Sequence, residues 1–191
     1  PAGSTIVRSA LLGRHNVSNL LAVAGLLYWY GVELDDMGAA LSNCQPPPGR
    51  LQRVPHPDQT VLIDFAHTPD AVTQVLLSLR LHCQGRLICV LGCGGDRDPG
   101  KRPLMGNAAV QHSDLCLFTS DNPRSESPSS IIDDMCRDLV VPLDPANCLT
   151  DRKAAIQRAL TLQKPGDVVV ILGKGHEQYQ EIQGVRYPFN D

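Results

Sequence analysis

From Thr60 to Gly173 the chain alternates between short apolar runs and amphipathic stretches, and this constrains its fold more than any other feature. "TVLIDFAH" (60–67), "RLICVLG" (86–92), "DLCLFTS" (114–120) and "DVVVILG" (167–173) predict strands. "PDAVTQVLLSLRLHC" (69–83), "PLMGNAAVQHS" (103–113), "SPSSIIDDMCRDLV" (127–140) and "DRKAAIQRALTLQ" (151–163) predict helices, with Pro69 suited to a first turn. Most of the strands lack polar alternation, as expected of a sheet covered on both faces. The fold class is therefore α/β: a mostly parallel sheet with helices on both faces. "YQEIQGVRYPF" at the end predicts a hairpin turning near Gly184.

Upstream the pattern differs. "NVSNLLAVAGLLYWY" (16–30) is apolar almost all round, which predicts a helix buried on most sides. "ELDDMGAALSN" (33–43) predicts a second, amphipathic helix. Three consecutive prolines in "CQPPPGR" cannot continue a helix and favour a stiff connector. A boundary is expected there, dividing a helical part over 1–48 from an α/β part over 49–191.

The net charge of −3 does not draw the chain toward nucleic acid or an anionic membrane. No apolar run approaches the roughly 20 residues of a membrane span, and no signal peptide is visible. The seven cysteines contain no CxxC and no zinc-ligand spacing, and Cys89 and Cys116 sit inside apolar runs. Reduced, buried thiols in a cytoplasmic protein are the expectation, with no metal site. The first residue is Pro, which suggests a piece of a longer chain.

In parallel sheets ligands bind beyond the carboxyl ends of the strands, and here those ends carry the polar and glycine residues. "GCGGDRDPGKRP" fits a phosphate loop only in part, because Arg102 stands where a magnesium-binding hydroxyl belongs and Asp96 and Asp98 would repel phosphate. It reads as a tight turn or as a loop placing Arg97 against a carboxylate. "TSDNPRSE" sets Arg124 behind the restrained Pro123, where a planar fork suits a carboxylate, or leaves it as a surface arginine. Asp121 and Asn122 stabilise that turn or share the ligand. In "GKGHE", Gly173 and Gly175 allow close backbone approach, Glu177 suits an ammonium group and Lys174 an anion; the bland alternative is a corner with solvated charges. "DFAHTP" offers Asp64 for a ribose and His67 for a base, unless His67 only caps the following helix. In "GRHNVSN", Asn16 and Asn19 share a helix face and can read a purine, or Asn16 is an N-cap.

Taken in order, "GRHNVSNLLA", "GRLQRV", "DFAHTPDA", "GCGGDRDPGKRPLMG", "TSDNPRSE" and "GKGHEQYQ" resemble the bacterial Mur ligases, most of all the branch that adds diaminopimelate. The resemblance covers nearly the whole chain from about Leu11. It implies the end of a central ATPase domain over 1–48 and a Rossmann-like, amino-acid-binding C-terminal domain over 49–191, lacking its last helix. The family's UDP-binding domain, phosphate loop and carbamylated lysine are not in this sequence. By the resemblance, Arg97, Asp121, Asn122, Pro123, Arg124, Gly173 and Glu177 face diaminopimelate, with Arg124 and Asn122 at its far carboxylate. Asn16, Asn19, Arg50, Asp64 and His67 face ATP, and Phe65 replaces a frequent tyrosine. The implied substrates are meso-diaminopimelate, ATP and a UDP-linked muramoyl dipeptide, with magnesium held elsewhere in the full protein. No catalytic residue is assigned, and the fragment is expected to be inactive alone. A related lysine-adding or folylpolyglutamate ligase, or a non-enzymatic amino-acid-binding module, is the alternative.

Overall fold

The computed structural model describes residues 3–191. They form two compact units, the first ending at Pro47 and the second running Pro48–Asp191.

The first unit holds two helices, α1 (Arg14–Trp29) and α2 (Leu34–Ser42). Gly31, at φ 80°, takes the left-handed conformation that ends α1. Asp35 and Asp36 complement the amino-terminal dipole of α2. The burial expected of α1 is not found: Leu21, Leu26 and Trp29 are 68%, 59% and 77% exposed. Among the described residues of its unit the helix beside α1 is the nine-residue α2, and one short helix cannot cover a surface that is apolar all round.

The second unit is built on β1 (Gln52–Val54), β2 (Thr60–Asp64), β3 (Leu87–Cys93), β4 (Leu115–Ser120), β5 (Cys148–Leu149) and β6 (Val168–Leu172). Their spatial order is β1-β2-β6-β3-β4-β5, all parallel except β1. Helices α3 (Pro69–Arg80), α4 (Lys101–His112), α5 (Pro128–Cys136) and α6 (Arg152–Leu162) connect them. The chain moves outward through β2, β3, β4 and β5, then returns to insert β6 between β2 and β3. Right-handed crossovers in opposite directions place their helices on opposite faces. Accordingly α3, α4 and α5 pack side by side, while Ala155 and Ala159 of α6 pack with Ile63, Val90, Leu117 and Ile171.

Local signals account for the boundaries. Thr68 caps α3 by accepting from Ala71 N at 3.3 Å, and Pro69 opens the first turn. Asp151 caps α6 through Ala154 N at 3.2 Å. Helix α5 stops at Cys136, before the predicted limit, and Asp138 beyond it has φ 58°. The edge strand β1 and the two-residue β5, preceded by a 3₁₀ turn at Pro145–Asn147, are not anticipated by the apolar pattern. A hairpin of β7 (Tyr179–Ile182) and β8 (Val185–Pro188) follows, turning at Gln183 and Gly184.

The four central strands end together at Asp64, Cys93, Ser120 and Leu172, so the loops after them share one edge. At the opposite edge Arg86 clamps Asp167 through Nε at 3.0 Å and Nη2 at 2.7 Å. All seven cysteines are free thiols. Among the described residues no helix is long and apolar enough to cross a membrane.

Candidate functional site

A cavity of about 430 Å³ opens at the carboxyl edge of the sheet. Arg97 and Lys101 enter it from the β3–α4 segment, Asp121, Asn122 and Arg124 from the loop after β4, Gly173 and Glu177 from beyond β6, and Phe65 and His67 from beyond β2. Six of the seven residues expected to face an amino acid therefore line one space, while Pro123 is buried and outside its wall.

Arg124 carries a backbone φ of 51°, a left-handed conformation that costs a branched-chain or bulky residue on the order of 1–2 kcal/mol. The hairpin holds it there. Arg124 N donates to Glu181 O at 2.9 Å, and Gln183 N donates to Arg124 O at 2.7 Å. Gln180 Nε2 donates to Asp121 O at 2.8 Å. The guanidinium gives Nη1 to Gly95 O at 2.7 Å, and its Nε lies 3.8 Å from Glu181 Oε2. Its side chain keeps 21% of its surface exposed, toward the cavity.

The two arginine-bearing loops are latched together. Gly95 N donates to Asn122 O at 2.9 Å, and Ser125 N to Asp96 Oδ2 at 3.2 Å. Glu126 accepts from Asp96 N and, through both oxygens, from the fork of Arg102 at 2.7 and 2.8 Å. Arg102, the residue that spoils a phosphate-loop reading, is thus a buried tie that also reaches Asp134 at 2.8 Å. A Cβ on Gly95 would be driven into the Pro123 carbonyl oxygen, which is backbone and cannot swing aside. Gly95→Ala is therefore expected to destabilise the domain by about 1–3 kcal/mol and weaken amino-acid binding. Urea denaturation with calorimetry on the same variant checks this; unchanged stability and affinity would contradict the latch.

Asp121 is buried and accepts from Asn122 N at 2.7 Å. Burial pushes its carboxyl up, and the nearby Arg152 and Lys174 only partly counter this. Gly173, at φ 110°, has no room for a Cβ because Asp121 Oδ2 lies against it. Asn122 Nδ2 donates to Glu177 Oε2 at 2.7 Å. Lys174, read from sequence as solvated or as an anion ligand, is instead fully buried and bonded to Asn122, Glu177 and Tyr179 O. The strand-end loop folds over it, so its charge serves the protein's own acceptors. Burial pushes the Cys93 thiol up to about 12, which removes it as a nucleophile.

Of the residues expected at a nucleotide, Arg50, Asp64 and His67 belong to the second unit. Asp64 is buried, with Oδ2 accepting from Leu51 N and Oδ1 from Ala66 N, both at 2.8 Å. Its carboxylate thereby fixes the segment that carries Arg50. The Arg50 guanidinium sits 5.0 Å over the Phe65 ring, and His67 meets that ring edge-on at 4.7 Å. His67 Nδ1 bonds Phe65 O at 2.7 Å, which requires the proton on Nδ1; it does not cap α3, since Thr68 does. Of these three second-unit residues, His67 lines the cavity, while Arg50 and Asp64 do not. Asn16 and Asn19 belong to the first unit, on one face of α1, with Asn19 Nδ2 bonded to Asn16 Oδ1 at 3.3 Å. Asn16 is not the N-cap, a position Gly13 holds. Phe65, Lys101 and Met105 line the cavity without having been selected from sequence, although each lies inside one of the quoted motifs.

Fold and cavity together define an α/β domain whose cavity lies at the carboxyl ends of its parallel strands. A family model described as "Mur ligase, glutamate ligase domain" matches residues 49–175, and the chain belongs to the Mur ligase family. The UDP-N-acetylmuramoyl-L-alanyl-D-glutamate--2,6-diaminopimelate ligases of Ectopseudomonas mendocina and Xylella fastidiosa are 48% and 50% identical to it. Those alignments cover 100% and 97% of this chain but 39% and 38% of the relatives' own length. A solved structure of a ligase of the same description superposes with TM-score 0.73 at 42% identity, over 98% of this chain and 39% of that one. The UDP-N-acetylmuramate-alanine ligase of Thermotoga maritima, at 20% identity and TM-score 0.68 over 90% and 37%, shares the fold.

Proposed function

We propose that the full-length protein joins meso-2,6-diaminopimelate to UDP-N-acetylmuramoyl-L-alanyl-D-glutamate at the expense of ATP, and that this cavity holds the incoming amino acid. Residues 1–48 are then the end of a central ATPase domain and residues 49–191 the amino-acid-binding domain. The supporting observation is the convergence of Arg97, Arg124, Asn122 and Glu177 on one cavity of about 430 Å³, a volume suited to a small ligand. The guanidinium groups match carboxylates, and Glu177 matches an ammonium group.

In this reading the γ-phosphoryl group of ATP passes to the D-glutamate side-chain carboxylate, giving an acyl phosphate and ADP. The uncharged amine of diaminopimelate attacks the acyl carbon; the C–N bond forms, the C–O bond to phosphate breaks, and the amine loses a proton to solvent. The residues here grip one end of diaminopimelate so that its other end presents the amine, a contribution of orientation. Arg50, Phe65 and His67 form a cationic and aromatic surface suited to the nucleotide. Among the described residues no group of three or more His, Cys, Asp or Glu side chains could hold a metal ion.

The test is product formation by the full-length protein with diaminopimelate, lysine or glutamate as acceptor. Diaminopimelate is expected to exceed lysine in kcat/KM by about 10³-fold or more, because lysine leaves the arginine site unmatched. Preference for lysine or glutamate would overturn the assignment.

A further inference from the structure

Lys174 has no exposed surface and forms no part of the cavity wall. Its ammonium meets Asn122 Oδ1 at 3.2 Å, Glu177 Oε2 at 3.0 Å and the carbonyl of Tyr179. An ammonium group has three donors and no acceptor. The second donor to Asn122 Oδ1 is Glu181 N at 2.9 Å. Two groups that can only donate thus face one side of the Asn122 amide, which leaves it a single orientation. Its Nδ2 must point the other way, where one proton goes to Glu177 Oε2 and the second remains for an acceptor. Glu177 in turn has Oε2 engaged twice by the protein, so a ligand cation is directed to Oε1.

We propose that Lys174 is the positioning residue that sets the polarity of this site, orienting Asn122 as a donor and holding Glu177 as an acceptor so that the cavity takes a carboxylate and an ammonium group from one end of an amino acid. This rests on the diaminopimelate reading for the ligand, but not for the network. The charged groups facing Glu177 are Lys174 on its own loop, Asp121 and Arg124 after β4, and Arg152 at the start of α6. Burial pushes the Glu177 carboxyl up. The hydrogen bonds from Lys174 and Asn122, with the charges of Lys174 and Arg124, outweigh burial and hold it below the usual glutamate range. Without Lys174 the carboxyl rises, so Glu177 loses its charge earlier as pH falls.

The experiment compares Lys174→Met, Lys174→Arg and Glu177→Gln in the full-length protein. Lys174→Met is expected to raise the diaminopimelate KM about 100-fold near pH 7, leaving the ATP KM within about twofold. The increase should widen as the pH is lowered, because protonation removes the Glu177 charge sooner in the variant. Lys174→Arg should recover at least about tenfold, since a cation is restored in imperfect geometry. Glu177→Gln should raise the same KM without the added pH dependence. An unchanged diaminopimelate KM in Lys174→Met, or equal losses for both substrates that track a lower melting temperature, would overturn the proposal. Should Lys174→Met not fold, carboxylate titration of Glu177 by NMR in the wild type and Lys174→Arg decides it, and a wild-type Glu177 titrating at or above the ordinary range overturns it. If the wild type shows no preference for diaminopimelate, the functional reading falls, while the ligand-free titration still judges Lys174.

Discussion

Replacing Arg124 by Ala in the full-length protein is expected to lower kcat/KM for diaminopimelate about 10³-fold, roughly 4 kcal/mol, while the ATP KM stays within about twofold. The side chain is mostly withdrawn from water, and its fork is already oriented by Gly95 O and the hairpin. A ligand carboxylate therefore meets a group whose ordering cost was met on folding. Arg124→Lys should recover little, because an ammonium group cannot present two parallel donors from that backbone position. Activity on lysine should fall far less than activity on diaminopimelate. Steady-state kinetics with both amino acids measures the difference; equal losses for the two would show that Arg124 does not read the far carboxylate.

The second large effect concerns stability. Arg152, at the first turn of α6, is buried with Asp191, each side chain having 0% of its surface exposed. Both bonds of the pair are 2.6 Å, and the same guanidinium reaches Ser120 O at 3.3 Å and Leu172 O at 3.1 Å. It thus ties together the carboxyl ends of β4 and β6, from which the Arg124 and Glu177 loops depart. Arg152→Met should destabilise the chain by about 3–5 kcal/mol, since Asp191 is left charged and unpaired away from water. Arg152→Met with Asp191→Leu should recover much of that loss. Urea denaturation of the three proteins decides the matter, and a single variant within about 0.5 kcal/mol of the parent would mean that the pair is not buried in solution.

The parallel core was legible because fully buried strands leave apolar runs, and "LICVLG" and "DVVVILG" became β3 and β6 within a residue or two. The Cys148–Leu149 strand carries no run of its own and exists through pairing with Phe118 and Thr119. The burial of α1 was misjudged because periodicity reports which faces are apolar, not what is present to cover them. In the site, strand-end position and the motif resemblance selected six residues that share the cavity but missed Phe65, Lys101 and Met105. Their conformations were not legible, since the hairpin that holds Arg124 lies about 58 residues downstream and acts through backbone bonds. Lys174 was misread because its enclosure requires Asn122, 52 residues upstream, as well as the nearby Glu177 and Tyr179.

The placement of β6 between β2 and β3 governs how the domain can be assembled. Thr60 pairs with Val168 and Ile88 with Val169, so the middle of the sheet stays open until the chain has been synthesised past Leu172. On the ribosome, β1 and β2 form one fragment and β3 and β4 another, each with an unpaired parallel edge awaiting the same strand. Such a nascent chain is most exposed to intermolecular strand pairing just before β6 emerges, and closure of the sheet should show a single cooperative step rather than sequential growth.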